Sequence, residues 1–189
     1  MTDRCESLRK FRALDAAYRP GDLVALRTAL GDPTDFPNCR QGDLAVCDYP
    51  LEDANYWSPL SFIAEMLQIG ADPNYADRAG FPSLLAALST DRPDRHDILR
   101  LLLQHGADTR QRGLNDWTPL HHAVWRRDLT AIRILLDHGA DRAARTRIDD
   151  CSTPLNDAER AGFAGAIELL RQTADNSAGT ANEPRPRRR

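Results

Sequence analysis

The chain has 189 residues, 41% of them hydrophobic and 28% charged, enough apolar content for the core of one ordinary domain with polar length to spare. Its 25 basic and 28 acidic residues leave a formal charge of -3, which excludes a molecule-wide field drawing it to nucleic acid or an anionic membrane. Four cysteines without C-x-x-C spacing exclude a secreted disulfide scaffold, and reduced thiols are expected.

Residues 1–11 alternate charged and apolar positions without the apolar centre of a signal peptide, and no later stretch approaches the length of a membrane span. The expected location is therefore the cytoplasm. Lys10 is the one lysine among the basic residues, a bias that points to GC-rich coding and a bacterial source. Leu14, Ala17, Gly21-Asp22-Leu23, Leu26 and Leu30-Gly31 read as a shortened helical pair. Cys39 and Cys47 are near enough to share a metal, but no His or Cys pair at ligand spacing completes a set, so neither metal nor cofactor is expected.

From residue 50 the phrase P-L-x-x-A recurs: Pro50-Leu51 with Ala54, Pro119-Leu120 with Ala123, and Pro154-Leu155 with Ala158, with a degraded copy at Ser83-Leu84 and Ala87. Each copy predicts two short antiparallel helices. Thr118 caps the first through its hydroxyl and Pro119 suits its first turn, where no backbone donor is needed; Ser58-Pro59 repeats the device ahead of a second helix. The second helices carry faces at i, i+3, i+4: Ile63, Met66, Leu67; Leu99, Leu102, Leu103; and Ile132, Leu135, Leu136. They end at Gly70-Ala71-Asp72, Gly106-Ala107-Asp108 and Gly139-Ala140-Asp141, where glycine supplies the left-handed residue after a helix. Pro50 to Gly70 and Pro119 to Gly139 are both 20 residues, whereas Ser83 to Gly106 is 23, which places an insertion near Asp91-Arg92-Pro93. From Pro154 the same count lands on Ala174 in place of glycine. One copy alone cannot bury such a face, so the copies must stack; the last has Arg171 where its predecessors have leucine, as a water-facing cap requires.

Thr118-Pro119-Leu120-His121-His122-Ala123, in copies spaced by 33 to 36 residues, resembles the ankyrin repeat and its signature T-P-L-H-x-A. Asp77-Arg78-Ala79-Gly80 resembles that family's hairpin turn; Asp116 and Cys151 stand where the turn glycine belongs, and Glu52 and Asn156 where the signature histidine does. The resemblance implies an all-α ankyrin-repeat α-solenoid of about five stacked helix-turn-helix units with short hairpin loops. The expected units are 12–38, 39–75, 76–111, 112–146 and 147–174, after an N-terminal segment 1–11 and before a disordered Arg/Pro-rich tail 175–189.

It also implies a non-catalytic module that grips a partner protein through its hairpin tips and the exposed side of the first helices, as a regulator, inhibitor or immunity-type factor. Equivalent groove positions hold Tyr56 and Trp57, Ser89 and Thr90, Trp125 and Arg126, then Arg160 and Ala161; the tips hold Asp48, Phe81, Trp117 and Ser152. Trp57, Phe81, Trp117 and Trp125 are expected to form an apolar strip beside Arg126, within an acidic surround of Glu52, Asp53, Asp116, Asp149, Asp150 and Asp157. The same rings also suit packing over the hairpins or between units. His122 is expected to face the groove as a ligand contact. The family's histidine at the His121 position implies hydrogen bonds to the neighbouring hairpin, and His96, His105 and His138 are expected to meet helix-end carbonyls.

No Ser or Cys stands in a nucleophile motif, and the glycine patterns that cradle phosphate are absent. Two alternatives remain: a hydrolase or transferase pairing His122 with Asp116 or Asp157, and a nucleic-acid factor relying on Pro184-Arg185-Pro186-Arg187-Arg188-Arg189. The expected partner is an unidentified protein, with neither membrane nor nucleic acid, and the unbound chain is expected to be a monomer.

Overall fold

Short helices separated by glycine-ended turns stack into a solenoid. The computed structural model describes residues 2–41, 47–75, 80–148 and 150–171, the first four by backbone alone. Among them are ten α-helices and no strand: α1 (Thr2–Tyr18), α2 (Leu23–Ala29), α3 (Pro50–Trp57), α4 (Leu60–Gln68), α5 (Ser83–Ser89), α6 (Arg95–Gln104), α7 (Pro119–Trp125), α8 (Leu129–Asp137), α9 (Pro154–Arg160) and α10 (Ala164–Arg171). Consecutive helices pair. The first helices of the pairs, α1, α3, α5, α7 and α9, form one row; α4, α6, α8 and α10 form a second row behind it, while α2 packs on α1. Residues 76–79 of the predicted Asp77 turn, Asp149, Ala174 and the arginine tail lie outside the described residues.

The i, i+3, i+4 faces make the core. Ile63, Met66, Leu99, Leu102, Ile132 and Leu135 are fully buried, Leu136 is half-buried, and Arg171 at the far end is exposed. Leu14, Ala17 and Leu26 bury the first pair, whose second helix is capped by Asp22 accepting from Ala25 N–H at 2.8 Å. Helix α1 passes without a break through residue 12, so residues 2–11 are its first turns rather than a separate segment. Nothing before Pro20-Gly21 stops it. Ser58 does not cap α4 as the Ser-Pro pattern predicts. Pro59 takes the cap position, and the buried Ser58 hydroxyl finds no partner. In α9, Asn156 replaces the signature histidine effectively: its backbone N–H donates to Thr153 Oγ1 at 3.2 Å and its carbonyl oxygen accepts from Thr153 N–H at 3.1 Å.

Side chains tie each unit to the next at a repeating interval. Asn38 donates to Gly70 O at 2.9 Å and accepts from Asp72 N–H at 2.7 Å; Asn74 does the same to Gly106 O and Asp108 N–H at the same distances. Exposed carbonyls and amides just past the helix ends thereby gain partners from the stacked neighbour. The insertion acts similarly. Arg92 reaches back to Ser58 O at 2.6 Å, and Asp91 pairs forward with Arg126. His96 stands at the start of α6 and bonds Asp128 at 2.8 Å together with Arg95, so it meets a carboxylate rather than the helix-end carbonyl expected of it.

The missing turn glycines leave a mark. Asp116 and Cys151 adopt φ of 57° and 49°, left-handed backbone that costs an L residue on the order of 1–2 kcal/mol. Cys151 is exposed, so its side chain returns little. Cys151→Gly is expected to stabilise the fold by about 0.5–1 kcal/mol after glycine's greater freedom in the unfolded chain is deducted, and to raise Tm by about 2 °C. An unchanged or lower Tm in calorimetry would show that this turn carries no such cost.

Candidate partner-binding cleft

The hairpin ahead of α7 is closed by Gly113 N–H donating to Trp117 O at 3.0 Å, and docks on the previous unit through Leu114 N–H donating to Gly80 O at 2.8 Å. That docking sets Phe81, Leu114 and Trp117 in front of α5 and α7. Trp125, the last residue of α7 and 61% exposed, closes the side. These rings, with Leu85, Ser89 and His122, enclose a cleft of about 370 Å³ that has Arg126 at its edge. The Trp117 and Trp125 rings are 5.8 Å apart at a 48° tilt, with the His122 ring 6.1 and 5.5 Å from them. Beyond Trp125 lies a second pocket of about 300 Å³, lined by Trp117, Val124, Arg127, Asp157 and Arg160.

His122 is buried beneath this cleft, and loss of solvent, followed by the charge of Arg126, lowers its pKa from 6.5 to about 4. The imidazole is therefore neutral near pH 7. The Ser89 hydroxyl donates to Leu85 O at 2.7 Å, so the 3.3 Å contact between His122 Nε2 and Ser89 Oγ runs from imidazole N–H to hydroxyl oxygen. A base–nucleophile pair needs the opposite direction. Here the imidazole is a polar floor.

Asp116 is not available to it. The carboxylate accepts from Arg112 Nη1 at 2.8 Å and from the Arg147 backbone N–H at 2.6 Å, is clasped by the Arg147 guanidinium, and has a side chain only 9% exposed. Those hydrogen bonds, the Arg147 guanidinium first, hold its pKa at about 2. It staples the hairpins of successive units instead of joining an acidic surround. Glu52 and Asp53 are buried. Asp53 accepts from Gln41 Nε2 at 2.7 Å, Gln41 accepts from the Tyr18 hydroxyl at 2.6 Å, and burial pushes the Asp53 pKa up. Asp150 is exposed, 3.1 Å from Arg160. The surround is broken up because Asp53, Asp116 and Asp150 are matched by a cation or an amide from another segment, a pairing that local spacing does not reveal, while Asp157 lines the second pocket.

The strip also divides. Tyr56 is half-buried and Trp57 is 48% exposed, its ring under the Arg19 guanidinium at 5.7 Å in a separate cleft with Phe11 and Leu14 of α1. Between the two clefts the equivalent groove positions are Ser89 and Thr90. Arg126 is at the predicted cleft but donates to Thr90 O at 3.3 Å as well as pairing with Asp91. His121 behaves as the resemblance implies: Nδ1 accepts from the Thr118 hydroxyl at 2.8 Å and Nε2–H donates to Ser152 O at 3.2 Å. His105 and His138 reach Leu101 O and Ile134 O at 2.9 and 2.8 Å. Leu85, Leu114 and Arg127 were not singled out by the sequence. Of these only Leu114 carries a signal, as a large apolar residue in an otherwise polar hairpin. Cys39 and Cys47 are buried free thiols, and among the described residues no three His, Cys, Asp or Glu side chains gather as metal ligands would.

Stacked helix pairs, tied through their turns and presenting rings beside the hairpin tips, define the class as a repeat recognition scaffold. The model for ankyrin repeats (3 copies) matches residues 51–146 and 95–180, more than half of the sequence, and the chain belongs to the ankyrin-repeat family. It is 32% identical over 104 residues to XBAT35 of Arabidopsis thaliana, 31% over 97 residues to alpha-latrocrustotoxin-Lt1a of Latrodectus tredecimguttatus, and 35% over 94 residues to protein phosphatase 1 regulatory subunit 27 of Mus musculus. The matches cover 53%, 51% and 49% of this chain but 21%, 7% and 59% of those proteins, less than two thirds of each. Ankyrin repeats are protein-interaction modules, and the family is generally non-catalytic. Among the described residues no helix is long and apolar enough to cross a membrane.

Proposed function

We propose that this protein is a cytoplasmic regulatory module, monomeric when unbound, that holds one partner protein in the cleft formed by Phe81, Trp117, His122 and Trp125, with Arg126 and Asp150 at the periphery and Tyr56 and Trp57 as a second contact. The observation that carries this reading is Trp125: a large ring, 61% exposed, that flanks two pockets while the core behind it is already closed. Central aromatics of this kind supply most of the energy of an interface. The similarity to a phosphatase regulatory subunit supports the regulatory half of the reading.

Trp125→Ala is expected to weaken the complex with the native partner by about 2 kcal/mol, roughly 30-fold, while leaving Tm within about 2 °C of wild type. Titration calorimetry with the partner purified from the source cell measures the first, and differential scanning calorimetry the second. Full affinity in the variant, or a collapsed melt, would assign the ring to packing.

A further inference from the structure

The two pockets beside Trp125 also indicate what kind of segment fits them, an inference that rests on the cleft being the binding site. Trp125, like Trp117, lines both pockets, so an occupant with one bulky apolar side chain for each would engage both rings. The charged residues lining the pockets are three arginines, Arg126, Arg127 and Arg160, and one carboxylate, Asp157.

These arginines are loosely committed. Arg126 pairs with Asp91, whose side chain is 88% exposed, and Arg160 with Asp150, 73% exposed; Arg127 donates to Ala161 O at 2.9 Å and lies 4.8 Å over the Phe163 ring, with no carboxylate among these contacts. Exposed pairs of this sort are worth little and exchange readily for an incoming carboxylate. Of the acids that the sequence placed nearby, Asp116 is held by Arg112 and Arg147 and Glu52 and Asp53 are buried, which leaves Asp150 on Arg160 and Asp157 on the lining. Among the lining residues themselves, arginines outnumber carboxylates three to one.

We infer that the cleft recognises an acidic peptide segment of another protein, carrying two bulky apolar residues that straddle Trp125 and carboxylates that meet Arg126, Arg127 and Arg160. Charge complementarity of this type sets specificity and association rate more than affinity.

The probe is a phage-displayed library of random dodecapeptides, selected on the wild-type chain and counter-selected on Trp125→Ala. Enriched sequences are expected to combine Leu, Phe or Trp pairs with an excess of Asp and Glu. The best of them, synthesised and titrated by tryptophan fluorescence, is expected to bind more weakly as salt rises. Arg160→Gln and Arg126→Gln are each expected to weaken it about two- to five-fold. Arg160 is the safer variant because it makes no tie to the insertion, and circular dichroism checks that both fold. Trp125-dependent peptides that are neutral or basic would overturn the acidic preference and leave the cleft standing. Failure to enrich any Trp125-dependent peptide would overturn both.

Discussion

Gly113→Ala is expected to destabilise the chain by about 3 kcal/mol, more than any substitution on the cleft's rim. A methyl group at this position would overlap the Gly80 carbonyl oxygen and Leu85 Cδ2. The leucine tip is able to rotate away, but the carbonyl is backbone and already accepts from Leu114 N–H at 2.8 Å. Relief requires one hairpin to lift off the other, so overpacking of about 1–3 kcal/mol is joined by a lost hydrogen bond of about 1 kcal/mol. Gly80 is confined from the other side, with φ of 86° and a would-be Cβ 2.9 Å from Leu114 N. Because the same hairpins carry Phe81, Leu114 and Trp117, the variant should lose cleft binding as well as stability. Urea denaturation reads the first loss directly. A wild-type midpoint would show that the hairpins do not need this close approach.

The second large effect is a loss of stability in mild acid that originates at His122. Unfolded, its imidazole takes a proton near pH 6.5; folded, only near pH 4. Between those values the unfolded chain binds more protons, so stability rises with pH. The contribution of neutral, buried His122 is fully present above pH 6.5, declines as pH falls toward 4, and amounts in total to about 3 kcal/mol. Buried His121, its pKa also lowered mainly by burial, acts in the same direction, whereas Asp53, raised by burial, opposes them. The measurement is therefore a difference: urea unfolding of wild type and His122→Gln at intervals from pH 7 to pH 4. The variant should show a visibly shallower slope. Parallel curves would mean that His122 titrates in the folded chain as it does in the unfolded one.

Much of the fold was legible because its causes are local. Proline in the first turn, the i, i+3, i+4 faces and a glycine after each second helix are short-range preferences, and their recurrence every 33 to 36 residues makes stacking the way to bury those faces. The site was legible only in part. Phe81, Trp117, His122 and Trp125 converge because equivalent positions of adjacent units are neighbours in a solenoid. Trp57 has an equivalent position but a different neighbour, α1, whose Arg19 covers its ring. Asp116 looked like an acidic contact, yet its two arginine partners come from its own hairpin and the next one.

The sequence by itself determined the repeat, the helical pairs, the buried faces and the positions at which aromatic rings emerge, because each follows from spacing within one unit. Only the tertiary structure decided which charges are free. A carboxylate's effect depends on cations within a few ångströms and on its access to water, and both are set by the packing of one unit's hairpin against the next. That packing withdrew Glu52, Asp53 and Asp116 from the acidic surround and set three arginines beside Trp125.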